Sequence, residues 1–397
     1  MKGTSRKLRA VEAPRRIPFC VPSTDQTEID QVSEAIRSGW LTTGPKVKEF
    51  EQRIARYVGA QHAVAVNSCT AALHIALAAA GVKRGDEVIT TPYTFAATGE
   101  TILYQGARPV FADIEPRTLN IDPAAIRRAI TRRTRAIVPV HMAGLACEMD
   151  EILEIGKRRG IPVIEDAAHA LGSTVGKRPI GALSDMTCFS FYATKNLTTG
   201  EGGMLTTNDA DLAARVRRLS LHGLSRDAWK RYTASGTWKY DIVDLGYKYN
   251  MTDVAAGIGL AQLAKFRGMQ ARRRTLALRY SRLLAASDVF DLPAQKKGWT
   301  HAWHLYMVRL RPGTLKIGRD QVIEELKDRG IGTSVHFIPL HLHSFYRRKL
   351  RHPKGSFPHA EREWARAISL PLFPGLSLDD QDRVVESLLD IAARHRR

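Results

Sequence analysis

Seven short, β-branched runs punctuate residues 60–210, and stretches of helical spacing lie between several of them. The runs are HAVAV (62–66), EVITT (87–91), PVFAD (109–113), AIVPV (136–140), IPVIED (161–166), TCFSF (187–191) and GMLTT (203–207). The intervening segments include the Ala/Leu-rich 70–82 and the amphipathic 150–160. Almost continuously apolar strands joined by helices form a mostly parallel sheet that is covered on both faces. The chain is therefore predicted to be α/β, with any ligand beyond the carboxyl ends of the strands.

After residue 255 the period changes. A long stretch of helical spacing (254–286) becomes arginine-rich, and a strand (305–311), a helix (321–330), a strand (333–337) and a helix after Leu378 follow it. This predicts a smaller α+β unit and three parts: a basic, disordered arm (1–16), a large domain (17–255) and a small domain (256–397). Residues 224–241, aromatic and basic without a period, are expected to form a long ordered loop.

Lys and Arg outnumber Asp and Glu by 60 to 40, a formal net charge of +20. That excess fits a nucleic-acid or membrane partner, attraction of an anionic small molecule, or an arginine-rich solvated surface. The basic residues are spread along the chain with no aromatic-interleaved block, so no nucleic-acid partner is expected. No run of eighteen apolar residues is present, and no membrane partner is expected. Cys20, Cys69, Cys147 and Cys188 form no pair at metal-ligand spacing, so no metal site is expected. With no secretory h-region at the N-terminus, the expectation is a cytoplasmic protein with reduced thiols.

Three segments carry chemistry. Residues 67–72, Asn-Ser-Cys-Thr-Ala-Ala, open a helix after the first strand, which serves either a phosphate or an ordinary N-cap. Asp166 ends a buried strand, where a carboxylate needs a cation, either a protonated ring nitrogen or a structural arginine. Lys195 follows another strand among small polar residues. Partly desolvated, it forms a Schiff base with a carbonyl; solvated, it is an ordinary surface lysine. Phe95 is placed either to stack on an aromatic ring or to join the core. A Schiff-base lysine, an acid for a pyridinium nitrogen and a phosphate cup together meet the needs of pyridoxal 5'-phosphate.

The segments SGWLTTGPKVKEFE (38–51), NSCTAAL (67–73), GDEVITTPYTFAAT (85–98), IEDAAHALGS (164–173), FSFYATKN (189–196), GEGGM (200–204) and GYKYNMTDVAAGIGLAQL (246–263) resemble the DegT/DnrJ/EryC1/StrS sugar aminotransferases. The resemblance implies the aspartate-aminotransferase-like fold type I, a large mixed, mostly parallel seven-stranded sheet domain plus a smaller α+β C-terminal domain. It implies pyridoxal-phosphate-dependent transfer of an amino group from L-glutamate to the keto carbon of a nucleotide-linked 4-keto sugar, releasing 2-oxoglutarate. By the same resemblance Lys195 carries the cofactor and Asp166 faces the pyridine nitrogen. Thr70, Ala71 and Ser190 bind the phosphate, Phe95 stacks on the ring and His169 lies beside it. Asn250 matches a phosphate ligand from the neighbouring subunit, which implies a homodimer with shared active sites. Some family members have histidine at the Lys195 position and act as dehydratases; lysine implies transamination.

Thr43, Lys239, His336 and His341 are candidate substrate contacts, each equally readable as a surface or structural residue. Residues 222–229, 301–306, 329–337 and 369–377 further resemble the branch that aminates a UDP-linked 4-keto pentose, which implies lipid A modification. Another keto sugar, such as a UDP- or dTDP-keto-6-deoxyhexose, or a cyclitol is the alternative. A non-enzymatic reading is a cofactor-binding regulator that binds DNA through its basic surface. Two positions depart from the pattern: Cys69 stands where glycine or alanine is common, and Phe95 where the pentose branch has tryptophan.

Overall fold

The computed structural model describes residues 15–225 and 240–397. Its elements begin with α1 (Gln26–Arg37), α2 (Pro45–Val58), β1 (His62–Val66), α3 (Cys69–Ala79), β2 (Glu87–Thr90), α4 (Ala96–Tyr104), β3 (Arg108–Phe111) and α5 (Pro123–Ala129). There follow β4 (Thr134–Val138), α6 (Met149–Arg159), β5 (Ile164–Asp166), a short hairpin of β6 (Thr174–Val175) and β7 (Arg178–Pro179), β8 (Met186–Ser190), β9 (Gly203–Thr207) and α7 (Ala210–Leu219). The second half comprises α8 (Asp253–Leu284), β10 (Phe290–Asp291), β11 (Tyr306–Leu310), α9 (Arg319–Asp328), α10 (Ser344–Leu350), α11 (Pro358–Arg366), β12 (Ala367–Leu370) and α12 (Leu378–Arg394).

All seven expected strands form. Four join in the order β1-β9-β8-β5 and three in the order β3-β2-β4. Single bridges from Ile137 to Val163 and from Val140 to Asp166 zip β4 to β5, so the strands make one continuous sheet. Only β9 runs against its neighbours; the pairs β2–β3, β2–β4 and β5–β8 are parallel.

Period-two alternation explains why both faces are apolar. Ala63, Ala65, Ile89, Ile137, Phe189 and Met204 pack under α2, α5, α6 and the first half of α8. Their neighbours Val64, Val66, Val88, Ala136, Val138, Cys188 and Leu205 face α3, α4 and α7. Fully burying a Val, Ile, Leu, Met or Phe side chain among them contributes roughly 1.5–3 kcal/mol, more than a strand propensity difference of up to about 1 kcal/mol. Burial therefore decides the register.

Helix α8 crosses between the two units. Ala256, Leu260, Phe266 and Met269 belong to the large core, and Leu276, Ala277, Tyr280 and Leu284 to the small one. One continuous helix thus contributes to both cores. The N-terminal end differs from expectation, because Ile17 is buried in the small core and bridges Ile331. Arg15, at the end of the expected disordered arm, is described and ion-pairs with Asp380.

The small unit is an antiparallel sheet in the order β10-β11-β12. Residues 333–337, expected as a strand, contribute only Ser334, which exchanges both backbone hydrogen bonds with Ser369 (3.1 and 2.8 Å). Beyond it the chain leaves the sheet, and Pro339 offers no N–H to continue a ladder. A shared core joins the units: Tyr93, Phe111 and Ile114 pack with Leu305, Met307, Leu340, Tyr346 and Ala367.

Candidate active site

The carboxyl ends of β1, β5 and β8 and the start of β9 meet at one edge of the large sheet. Gly203 pairs with both Val66 and Ser190 there. A Cβ on Gly203 would stand 2.4 Å from the Ser68 carbonyl, so a glycine is required for the first turn of α3 to lie against the strand. Ser68 caps α3, its hydroxyl accepting from the Ala71 N–H at 3.0 Å. The expected Ala71 amide is thus already bonded within the cap. Half-buried Thr70 lies in the same turn, and Ser190 Oγ accepts from the Tyr192 N–H (3.3 Å), which leaves its own proton to donate.

Asp166 ends β5 and is 5% exposed. Its Oδ2 accepts from the Thr98 hydroxyl at 2.7 Å and its Oδ1 from the Ala168 N–H at 3.1 Å. Thr98 in turn shares a 2.8 Å bond with Thr94. Burial pushes the Asp166 carboxyl up despite these donors and the Lys195 cation, so its ionised form favours a second cation at this edge.

Lys195 is half-buried in a tight loop after β8. Its N–H donates to Tyr192 (2.9 Å), while Thr199 and Phe191 close the loop through backbone bonds to Phe191 and Gly202 (both 2.9 Å). Burial lowers the ammonium from its usual value to about 8, against the pull of the Cys69 thiol and Asp166. A lysine in this state is largely protonated at neutrality yet readily becomes the nucleophilic amine.

His169 is buried, stacks on Phe337 (ring centroids 5.9 Å) and meets His304 in a tilted contact (4.3 Å). Its Nδ1 has no hydrogen-bond partner, and burial together with the charges of Lys195 and His336 holds the ring well below the usual histidine range. Phe95 is 61% exposed and meets Phe337 at 5.8 Å, so it is a surface ring at the site and not a core phenylalanine.

Two candidates form a separate pair. Asn250 Nδ2 donates to Thr43 Oγ1 (2.8 Å), which itself donates to the Met251 carbonyl (2.6 Å). The pair is held by Asp253, buried at the start of α8, which accepts from the N–H groups of Gly44, Lys46 and Val47 (2.8–3.0 Å) and so caps α2. His336 reaches the site: its Nδ1 bonds Ser369 Oγ at 2.8 Å, and burial plus the Lys195 charge lowers it to about 4. His341 does not. It is fully buried, bonded to Glu361 (2.8 Å) and packed against Phe357, which makes it a structural residue in the shared core. Lys239 lies outside the described residues.

Three residues not singled out in the sequence complete the arrangement: Thr98, Asn196 and His304. Asn196 donates to Gln270 (2.9 Å) and to the Ala302 carbonyl (2.7 Å), and its Oδ1 meets His304 Nδ1 at 3.2 Å. Among the described residues no group of His, Cys, Asp and Glu is arranged to hold a metal, and no helix is long and apolar enough to cross a membrane. The donor set fits pyridoxal phosphate: a desolvated lysine, a buried carboxylate short of a cation, an unpartnered buried imidazole and an open helix start with adjacent hydroxyls.

This sheet and this site define a pyridoxal-phosphate-dependent aminotransferase of fold type I. Residues 22–389 match the model of the DegT/DnrJ/EryC1/StrS aminotransferase family, and the chain belongs to that family. It is 49% identical over 376 residues to the spore coat polysaccharide biosynthesis protein SpsC of Bacillus subtilis, covering 94% of this chain and 97% of SpsC. Among solved structures, the putative sugar aminotransferase Spr1654 of Streptococcus pneumoniae, in its PMP form, superposes with a TM-score of 0.90 at 36% identity, covering 95% of this chain and 99% of that one. DesI, solved in the presence of its TDP-sugar product, gives 0.86 at 35% identity, covering 97% and 94%.

Proposed function

We propose that the protein transfers an amino group from L-glutamate to the keto carbon of a nucleotide-linked sugar, working as a homodimer. The observation that carries this reading is the meeting of Lys195, Asp166 and the first turn of α3 at one sheet edge. When bound, pyridoxal phosphate supplies an electron-withdrawing ring that acidifies the donor's α-carbon.

The chain's own residues do the rest. Asp166, its carboxylate oriented by Thr98, holds the proton of the ring nitrogen. Thr70, Ser190 and the first turn of α3 would bind the phosphate, and Phe95 and His169 would flank the ring. Lys195 Nζ takes the proton from the α-carbon and returns it on the other side of the transfer. An amine lowered to about 8 suits both tasks, and such acid–base help is worth about 10²–10⁴-fold.

Asn250 is assigned to the cofactor phosphate of the neighbouring subunit, with Thr43 orienting it. The exposed Ile242, Val243 and Leu245 beside it support a subunit interface there. Four unpaired cysteines support a reducing, cytoplasmic setting. The net charge of +20 favours a diphosphate-bearing substrate, and His336 is its candidate contact from the small unit.

Residues 301–306 and 369–377 favour a UDP-linked 4-keto pentose, in keeping with an amino sugar for lipid A or another cell-surface glycan. The TDP-sugar product of DesI makes a TDP-linked keto sugar the second reading. The test is a panel of UDP- and TDP-keto sugars with L-glutamate, read by mass spectrometry. An aminated sugar nucleotide with stoichiometric 2-oxoglutarate is expected; no amination of any member contradicts the reading.

A further inference from the structure

A cavity lined by none of the candidate site residues lies where the loop after β3 meets β10, β11 and the end of α11. It encloses about 460 Å³ and is lined by five arginines, Arg117, Arg309, Arg311, Arg362 and Arg366, but only two carboxylates, Asp291 and Glu363. Glu363 is fully buried and accepts from three of them, Arg309 (3.0 Å), Arg362 (3.0 Å) and Arg366 (2.5 Å). Asp291 accepts from Arg311 (2.8 Å) and Arg366 (2.5 Å). Arg117 makes no ion pair among the described residues, and the buried Nε of Arg366 has no partner.

Cations gathered in a partly buried cleft repel one another, and leaving them uncompensated is costly. Two carboxylates shared among so many guanidinium groups leave an excess of positive charge. Guanidinium groups pair with phosphate oxygens in bidentate fashion, and Arg117 lines this cavity without a carboxylate partner. We propose that this cavity binds a multiply charged oxyanion, the phosphate or diphosphate group of a small molecule, at a site separate from the cofactor. Arg117 comes from the large unit and the other four arginines from the small one, so a bound anion ties the two units together.

The test is calorimetric titration of the cofactor-loaded enzyme with inorganic pyrophosphate. The double variant Arg117→Ala/Arg362→Ala removes two exposed guanidinium groups; Glu363 loses its bond from Arg362 and keeps those from Arg309 and Arg366. Arg132→Ala/Arg348→Ala makes the same change in net charge elsewhere on the exposed surface. Expected are saturable binding to the unaltered enzyme, about tenfold or greater weakening in the first variant, and less than about twofold in the second. Absence of saturable binding, or equal affinity in the two variants, overturns the proposal; the latter places the anion at the substrate site or on the general surface charge.

Discussion

Asp166 and its neighbour Glu165 show how one residue step along a strand separates two roles. Asp166 points to the site edge and takes the Thr98 hydroxyl. Glu165 points the other way, fully buried, and is bonded to His141 (2.7 Å), Ser184 (2.6 Å) and Thr187 (2.8 Å). Asp166→Asn is expected to retain some cofactor and lose about 10²-fold or more of kcat, since an amide cannot balance a ring cation. Thr98→Val leaves that carboxylate without its hydroxyl donor and is expected to cost about tenfold. Steady-state kinetics at saturating cofactor check both, and unchanged turnover in either variant contradicts the assignment. The place of Lys195 and Asp166 at the sheet edge was legible in the sequence because strand ends and small polar loops mark it. Thr98, Asn196 and His304 were not, because their part depends on contacts across 68 to 108 residues of chain. The burial of His341 against Glu361 was illegible for a similar reason: an isolated histidine in a loop gives no sign of a partner 20 residues away.

At the scale of elements, apolar alternation on both faces made the seven strands readable, and β1 and β9 match their expected runs residue for residue. The segment 333–337 carried the same β-branched signal, but the partner it needed beyond Ser369 does not exist. That α8 contributes to both cores was hidden because a helix of 32 residues keeps one period while its apolar face passes from one core to the other. Gly203 tests the packing of elements around the site. Gly203→Ala forces its Cβ against the Ser68 carbonyl and is expected to cost about 1–3 kcal/mol of stability. Thermal melting and cofactor titration of the variant check this, with weaker cofactor binding expected because the first turn of α3 must shift. An unchanged melting temperature with full occupancy contradicts it.

At the scale of the whole molecule, the proposed assignment of Asn250 to a neighbouring active site requires a second subunit. Leu245 is 82% exposed, with Ile242 and Val243 beside it at 65% and 54%, and a cluster of this kind on a chain with so much charge calls for a partner surface. Leu245→Asp is expected to shift the protein towards monomer in light scattering and to lower cofactor retention together with it; a monomeric parent protein contradicts the shared-site assignment of Asn250. Borohydride treatment of the cofactor-loaded protein, followed by digestion and peptide mass spectrometry, is expected to place the reduced pyridoxyl group on Lys195 alone, with the visible band lost in step. Adding L-glutamate first is expected to abolish the labelling. A label on any other lysine, or none on Lys195, contradicts the account.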